Sequence, residues 1–328
     1  MSGSLLTAAK LAHQRGNLNH ALELLEECLA RSGTELSPEE LYELWVLKSH
    51  CLNAQGHWHE ALSALESAAQ AGKLDAATLA RLAMHKGYLM GSLTRYAECW
   101  SYLGQAEQTA RELGLATFVA EVLWRRGMIS TFMGEHVAAE NCLNSALDIA
   151  AKAKERRLEG LFTAGLAKSV MYQGKYAEAI RRFEGALATF EELEDHFYSA
   201  IIWCELANCY LHLDESEKAL EFFQKAESVF LESGAMPNYQ VCLANIGNVY
   251  LHRSEFLTAI SYYQRALKLA RELEDRLSVA KWLRNMAQAY THLGSPEIAR
   301  RFETEAAEVE GKLELERGRA AQVAASFR

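Results

Sequence analysis

The chain has 328 residues, 50% of them apolar, and its formal net charge of −9 argues against a protein that binds nucleic acid through a basic surface. No run of 18 apolar residues occurs, and the first residues lack an apolar stretch long enough for a signal peptide, so we expect neither a membrane span nor a secretory leader. The seven cysteines form no Cys-x-x-Cys pair, which indicates buried reduced thiols in a soluble, cytoplasmic protein.

Along the chain, alanine recurs in one register with a step of 40 residues. Cys99 takes the place of an alanine between the second and third of these, 38 residues after Ala61 and 40 before Ala139. Repetition at such a period predicts a solenoid, in which small units stack on their neighbours and usually hold another molecule. The register alanines are Ala21, Ala61, Ala139, Ala179, Ala219, Ala259 and Ala299.

We predict one solenoid domain that covers the chain. Each repeat consists of two helices, because apolar residues recur at helical spacing on both sides of a short connector. A final segment then covers the open end of the last repeat. The predicted repeats lie at about 2–38, 39–78, 79–116, 117–156, 157–196, 197–236, 237–276 and 277–312, with the cap at 313–328.

The connector inside each repeat has its own signal. In five repeats a glycine lies five residues before the register alanine, which suits a helix end that needs a left-handed residue. Asp214 and Ser254 take that place in repeats six and seven. Ser37 with Glu40 predicts a capping box at the start of the second repeat, and Pro296 after a serine predicts a helix start. The connector glycines are Gly16, Gly56, Gly134, Gly174 and Gly294.

The seventh repeat shows how its two helices pack. Gly247 on the first helix and Ala259 and Ala266 on the second are small, which predicts a close crossing. Tyr250 and Tyr263 are large and fill the space beside the crossing.

These residues resemble the tetratricopeptide repeat, whose motif has Leu-Gly-x-x-Tyr on the first helix and two alanines flanking an aromatic residue on the second. The resemblance implies an all-α fold, a right-handed α-α superhelix of eight helix-turn-helix repeats plus a C-terminal capping helix. The period of 40 residues exceeds the common 34, which implies longer helices. Repeats of this length are similar to those of spindle-orientation adaptors, kinesin light chains and bacterial peptide-sensing regulators. The matching residues are Ile246, Gly247, Tyr250, Ala259, Tyr263 and Ala266, with Leu206, Ala207, Tyr210, Ala219, Phe223 and Ala226 in repeat six and Met286, Ala287, Tyr290, Ala299 and Ala306 in repeat eight.

The resemblance also implies that the first helices line a concave surface where a partner binds. Amides there offer donors and acceptors for an extended peptide, and a lysine or arginine beside them would take a carboxylate. One subfamily binds two carboxylates of a partner through five residues of three consecutive repeats. Asn208, Asn245 and Lys281 match three of these five positions, and Cys204 and Asn285 stand at the other two. The candidate residues of repeats six to eight are Asn208, Asn245, Asn248, Lys281, Arg284, Asn285 and Gln288.

The middle repeats carry a more aromatic and basic stretch. Trp124, Arg125 and Lys168 have the composition of interface hot spots, so we add them to the candidate partner-binding residues. The alternative is that Trp124 packs between repeats.

Three histidines, His212, His252 and His292, follow the 40-residue period. They predict either a pH-sensitive rim or a structural role. Neighbouring helices about 8–10 Å apart are too far from each other for one zinc ion to reach ligands at about 2 Å, so we expect no metal.

No catalytic motif is found: Gly174-Lys175 is followed by Tyr176 rather than the Ser or Thr of a phosphate-binding loop. We therefore expect a protein that is not an enzyme and needs no cofactor. Three functions remain open: an interaction scaffold or adaptor that binds a peptide or helix, a sensing array that acts on a separate transcriptional or signalling effector, and a self-assembling scaffold. We expect a monomer or a weak homodimer through the C-terminal end, where Leu313, Leu315, Ala320, Ala321, Val323 and Phe327 are apolar.

Overall fold

A computed structural model describes residues 2–14, 17–32 and 36–326, with side chains described for 4–13, 17–31 and 36–315. These residues form sixteen α-helices and no strand. The helices are α1 (Ser2–Gln14), α2 (Leu18–Ser32), α3 (Pro38–Ala54), α4 (Trp58–Ala69), α5 (Ala76–Ser92), α6 (Tyr96–Glu112), α7 (Ala116–Met133), α8 (His136–Ala153), α9 (Arg156–Tyr172), α10 (Tyr176–Glu192), α11 (His196–His212), α12 (Ser216–Glu232), α13 (Met236–His252), α14 (Phe256–Glu272), α15 (Arg276–His292) and α16 (Pro296–Ser326). The all-α repeat fold is confirmed.

The 40-residue period follows from helix and connector lengths. From α9 to α15 each helix has 17 residues, and three residues separate successive helices. α14 stops at Glu272, because Glu274 has φ 55° and a left-handed residue cannot continue a helix.

The connectors take one backbone conformation whatever residue stands there. Gly134 and Gly174 have φ 77° and 75°, and Asp214 and Ser254 each have φ 62°. The predicted left-handed position is therefore confirmed, with a side chain tolerated in three repeats, since Thr94 of the third repeat has φ 59°. Gly16 lies outside the described residues. The capping box is also present: the Ser37 amide donates to Glu40 (2.9 Å), and the Glu40 amide donates to Oγ of Ser37 (3.2 Å).

The register alanines and Cys99 form the centre of each repeat, and none is more than 2% exposed. A methyl group at this position lets the two helices of a repeat cross closely. The crossing is tightest beside a glycine of the first helix. A Cβ added to Gly247 would lie 2.6 Å from Cε1 of Tyr263.

The chain divides into two compact units. Unit 1 comprises Met1–Leu74 and Phe230–Arg328, and unit 2 comprises Asp75–Val229. In unit 2 an apolar cluster runs through α9 to α11 around Phe183, Phe190 and Leu206. In unit 1 a corresponding cluster runs through α13 to α16 around Tyr263 and Trp282.

Within unit 1, the N-terminal helices contact the C-terminal ones through polar side chains. Nε2 of Gln55 donates to the carbonyl of Leu273 (3.3 Å), and Nδ2 of Asn19 donates to that of Glu272 (3.3 Å). The guanidinium of Arg276 donates to the carbonyl of Gly56 (2.7 Å). These bonds satisfy carbonyls at helix ends, which otherwise lack partners.

The predicted C-terminal cap is continuous with α16 rather than a separate helix. α16 packs against α4, and Leu313 is only 4% exposed. Leu315 is exposed, and the side chains of Ala320, Ala321, Val323 and Phe327 lie outside the described residues.

Two further predictions concern the cysteines and membrane-spanning helices. None of the seven cysteines forms a disulfide and five are buried, and burial raises the pKa of Cys51 and of Cys209 to about 12. Over the described ranges, we find no helix with the length and apolar character that a membrane span requires.

Candidate functional site

The first helices of the repeats carry three columns of residues, and we call the surface that these columns form within each unit its first-helix face. Each column repeats at 40 residues on α5, α7, α9, α11, α13 and α15, and every member except Gly165 is at least partly exposed. Packing positions such as the register alanine are nearly uniform, whereas these columns differ in charge, size and polarity from repeat to repeat. The columns are His85, Arg125, Gly165, Glu205, Asn245 and Asn285; Tyr88, Met128, Lys168, Asn208, Asn248 and Gln288; and Ser92, Phe132, Tyr172, His212, His252 and His292.

In unit 2, Arg125 lies between aromatic rings. Its guanidinium carbon is 5.0 Å from the centroid of Tyr88 and 5.7 Å from that of Trp124. Burial lowers the pKa of Arg125, against the opposing influence of Tyr88 and Glu121. The side chain therefore makes cation–π contacts and, among the described residues, no ion pair.

Trp124 packs toward α9. Its ring lies 6.2 Å from that of Phe162, and a Cβ on Gly165 would lie 2.8 Å from its Nε1. The indole N–H is buried and finds no acceptor among the described residues. Trp124 thus has the packing role of the alternative prediction while its polar edge stays unsatisfied.

Lys168 forms an ion pair on the face of unit 2. Its Nζ lies 2.6 Å from Oε1 of Glu205, across α9 and α11. Burial alone would lower the pKa of Lys168, but the charge and hydrogen bond of Glu205 outweigh it and raise the pKa above its ordinary value. The ammonium group is therefore already neutralised by the protein. Asn208, one turn after Glu205, is half-buried.

Aromatic rings line one edge of this face. Phe132 and Tyr172 meet edge to face at 5.6 Å and are 58% and 50% exposed. His212 stacks on Tyr176 at 4.5 Å. In unit 1, His292 stacks in the same way on Phe256 at 5.2 Å, and His252 is exposed.

In unit 1 the three predicted asparagines form one hydrogen-bonded ladder. Nδ2 of Asn285 donates to Oδ1 of Asn248 (3.2 Å), and Nδ2 of Asn248 donates to Oδ1 of Asn245 (3.4 Å). The hydroxyl of the buried Tyr263 donates to the same Oδ1 of Asn248 (2.8 Å). The ladder leaves Nδ2 of Asn245 as a donor and Oδ1 of Asn285 as an acceptor, which is the pair that a peptide group requires.

The predicted basic residues of α15 lie beside α16. Nε of Arg284 donates to Oε1 of Glu310 at 2.7 Å, so its charge is already paired. Nζ of Lys281 lies 5.0 Å from the ring centroid of Trp282, and Gln288 is exposed. Lys281 and Arg284 share a shallow pocket of about 440 Å³ with Leu277, Ala280, Glu310, Leu313 and Glu314.

A second polar pocket in unit 1 was not predicted. It has a volume of about 730 Å³, and Lys48 on its wall pairs with Glu26 (3.2 Å). Several carboxylates and two histidines surround it, yet within the described part of the chain no three His, Cys, Asp or Glu residues are grouped to hold a metal ion. Its lining includes Glu23, Glu26, Trp45, Lys48, His57, His59, Glu60 and Glu274.

Sequence reasoning also missed Tyr88 as a neighbour of Arg125. The signal was available, because Tyr88 is 40 residues before Met128 and 80 before Lys168 and so shares their column. The irregular third repeat concealed it, since Cys99 replaces the register alanine there.

The fold and the face define an array of two-helix repeats with a chemically varied surface on the first helices. A family model described as a tetratricopeptide repeat matches residues 160–232 and 239–309. These two segments are similar to tetratricopeptide repeats, and together they make up less than half of the chain.

Solved structures share this fold at low identity. A Rap protein complexed with competence and sporulation factor has a TM-score of 0.61 at 15% identity, over 96% of this chain and 99% of that one. Aspartyl phosphate phosphatase F from Bacillus subtilis has a TM-score of 0.56 at 14% identity, over 94% of each chain. BtubC (BKLC) from P. vanneervenii has a TM-score of 0.56 at 18% identity, over 65% of this chain and 90% of that one. No curated protein sequence shows significant similarity to the chain.

Proposed function

We propose that the chain is a non-catalytic, cytoplasmic interaction scaffold that binds an extended peptide segment of a partner protein on its first-helix face. The asparagine ladder of unit 1 is the observation that carries this proposal. Tyr263 fixes Asn248 from the core, and the ladder then presents the Nδ2 group of Asn245 as a donor and Oδ1 of Asn285 as an acceptor. Fixed amides can bind a peptide backbone with little loss of side-chain entropy.

Two further observations support a peptide as the ligand. The first-helix columns vary where the packing columns do not, as expected of a surface that recognises side chains. A protein of the same fold, the Rap protein, was solved in complex with competence and sporulation factor.

A sensing array that acts on a separate effector is the second candidate. The observation in its favour lies in unit 1, where polar bonds from Gln55 and Arg276 connect segments that are distant in sequence. A ligand that shifted α15 would strain these bonds and transmit binding to the N-terminal helices.

The ladder is tested with a random peptide library of free-acid and amidated members, selected on the full chain. Asn245→Ala/Asn248→Ala/Asn285→Ala should bind the selected peptides at least about tenfold more weakly, because each lost hydrogen bond costs about 1 kcal/mol. Isothermal titration calorimetry measures the loss.

The matched control removes amides from exposed positions of second helices. Gln224→Ala/Gln264→Ala should bind like the unchanged chain, since neither residue lies on the first-helix face. Equal affinity of the ladder variant and this control, with both folded by circular dichroism, would contradict the proposal.

A further inference from the structure

The polar pocket of about 730 Å³ in unit 1 has an excess of negative charge. Four carboxylates line it, from α2, α4 and the connector before α15, whereas Lys48 is its one lysine. A concave surface with charges of one sign attracts a ligand of the other sign, and the volume is large enough for an organic cation. The carboxylates belong to Glu23, Glu26, Glu60 and Glu274.

The pocket lies off the first-helix face. Counted back from Ala61 by the same 14 and 11 residues as in the later repeats, the first two columns would continue at Leu47 and His50 of α3. Trp45 and Lys48 of the pocket each precede these positions by two residues, or roughly 200° around a helix. A ligand in the pocket would therefore be bound independently of a peptide on the first-helix face.

One wall of the pocket already binds an ammonium group, which is supplied by the protein itself. Nζ of Lys48 lies 5.6 Å from the ring centroid of Trp45 and 3.2 Å from Oε1 of Glu26. An aromatic face beside a carboxylate suits an ammonium ion through cation–π and ionic attraction. The side chain of Glu26 is 67% exposed, so this ion pair is weak and an external ammonium group can replace Lys48.

The same face of α3 continues from this wall into the pocket. Leu52 follows Lys48 by one turn and gives the wall hydrocarbon surface. Gln55, only 2% exposed, follows Lys48 by seven residues, or about 10 Å along the helix axis. Nε2 of Gln55 donates to Asn19 and to the carbonyl of Leu273 (3.3 Å), which leaves Oε1 of Gln55 as an acceptor.

Two further carboxylates lie at this second end of the pocket, around His57. Nδ1 of His57 lies 3.4 Å from Oε1 of Glu60, and its Nε2 lies 3.7 Å from Oε2 of Glu274. Negative charge is therefore present at both ends of an apolar stretch.

We propose that this pocket binds an alkylammonium ion. The ammonium group takes the place of Lys48 over Trp45 and beside Glu26, and the hydrocarbon chain lies along Leu52. The group is supplied by a free diamine or by a lysine side chain of a partner. A diamine places its second ammonium group beside the carboxylates at His57.

The test follows the indole N–H signal of Trp45 by ¹⁵N NMR in the full chain at constant ionic strength, with the signal assigned through Trp45→Phe. Cadaverine represents a diamine, N-acetyl-lysine methylamide represents a lysine side chain, and 1-pentanol is the neutral control. We expect a saturable shift with at least one amine and none with the alcohol. The amine that binds more tightly identifies the source of the ammonium group.

Variants decide whether the amine competes with Lys48. Lys48→Met should bind the amine about threefold more tightly, because the competing ammonium group is removed. Glu26→Gln should bind it about threefold more weakly, because the carboxylate is lost. Circular dichroism checks that both variants remain folded, which is expected of changes to a weak pair.

The matched control is Lys218→Met in unit 2. Nζ of Lys218 lies 5.1 Å from the ring centroid of Tyr210 and pairs with Glu215, so it has the same partners as Lys48 but lies outside the pocket. Its removal should leave amine binding at Trp45 unchanged.

Three results would overturn the proposal: no saturable shift with either amine, an equal shift with 1-pentanol, or weaker amine binding by Lys48→Met. Amine binding that persists when the peptide library selects nothing would retain this pocket and reject the scaffold function.

Discussion

Replacing Gly247 with alanine is expected to lower the free energy of unfolding by about 2 kcal/mol. The added Cβ would lie 2.6 Å from Cε1 and 2.8 Å from Cδ1 of Tyr263. Tyr263 cannot move aside easily, because it is fully buried and its hydroxyl is bonded to Asn248. The helices α13 and α14 must separate instead, and the loss of packing spreads into the apolar cluster of unit 1.

Urea unfolding followed by circular dichroism measures this effect, with Gly185→Ala as the control. Gly185 lies inside α10 with no atom within 4 Å of an added Cβ. Alanine there should stabilise the chain by about 0.5–1 kcal/mol, because it has the higher helix propensity. A Gly247→Ala chain that unfolds at the same urea concentration as the unchanged chain would disprove the close crossing.

Lys168→Met is expected to lower stability by about 2 kcal/mol, because it leaves the carboxylate of Glu205 with its ion-pair partner removed. The double change Lys168→Met/Glu205→Leu should recover most of that loss, since no charge is then left without its partner. Urea unfolding of the unchanged chain, the single variants Lys168→Met and Glu205→Leu, and the double variant gives the coupling free energy of the pair.

The pH dependence of the pair has a defined sign. The pKa of Lys168 is raised in the folded chain, so the stabilisation is fully present below the ordinary lysine value of 10.5 and is lost as pH rises through the folded pKa. The double variant should lack this loss. If Lys168→Met proved as stable as the unchanged chain at neutral pH, the ammonium would be free for a ligand rather than structural.

The repeating part of the fold could be predicted from the sequence because its causes are local. The register alanines, the connector positions and the Ser37 capping box each depend on residues within one repeat. Contacts without a period could not be predicted. Gln55 and Leu273 are 218 residues apart and no motif relates them. The sequence analysis also placed the start of a separate cap at residue 313. α16 continues through this point, because nothing in the sequence requires a helix to end there.

The residues of the candidate site could be predicted, but the hydrogen bonds and ion pairs between their side chains could not. The 40-residue register located Asn245, Asn248 and Asn285, but only the structure shows that Tyr263 fixes the middle amide. Likewise, Lys168 and Arg125 looked equivalent as basic residues. The structure separates them, because Glu205 neutralises Lys168 and no carboxylate pairs with Arg125 among the described residues.

Site-specific photo-crosslinking tests most directly whether a peptide binds the first-helix face. Benzoylphenylalanine replaces Gln288, which is exposed on α15, or Gln264, which is exposed on the second helix α14. A library-selected peptide should crosslink to the chain modified at 288, with the product competed away by unmodified peptide, and should not crosslink at 264. Crosslinking at 264 with none at 288 would contradict the account.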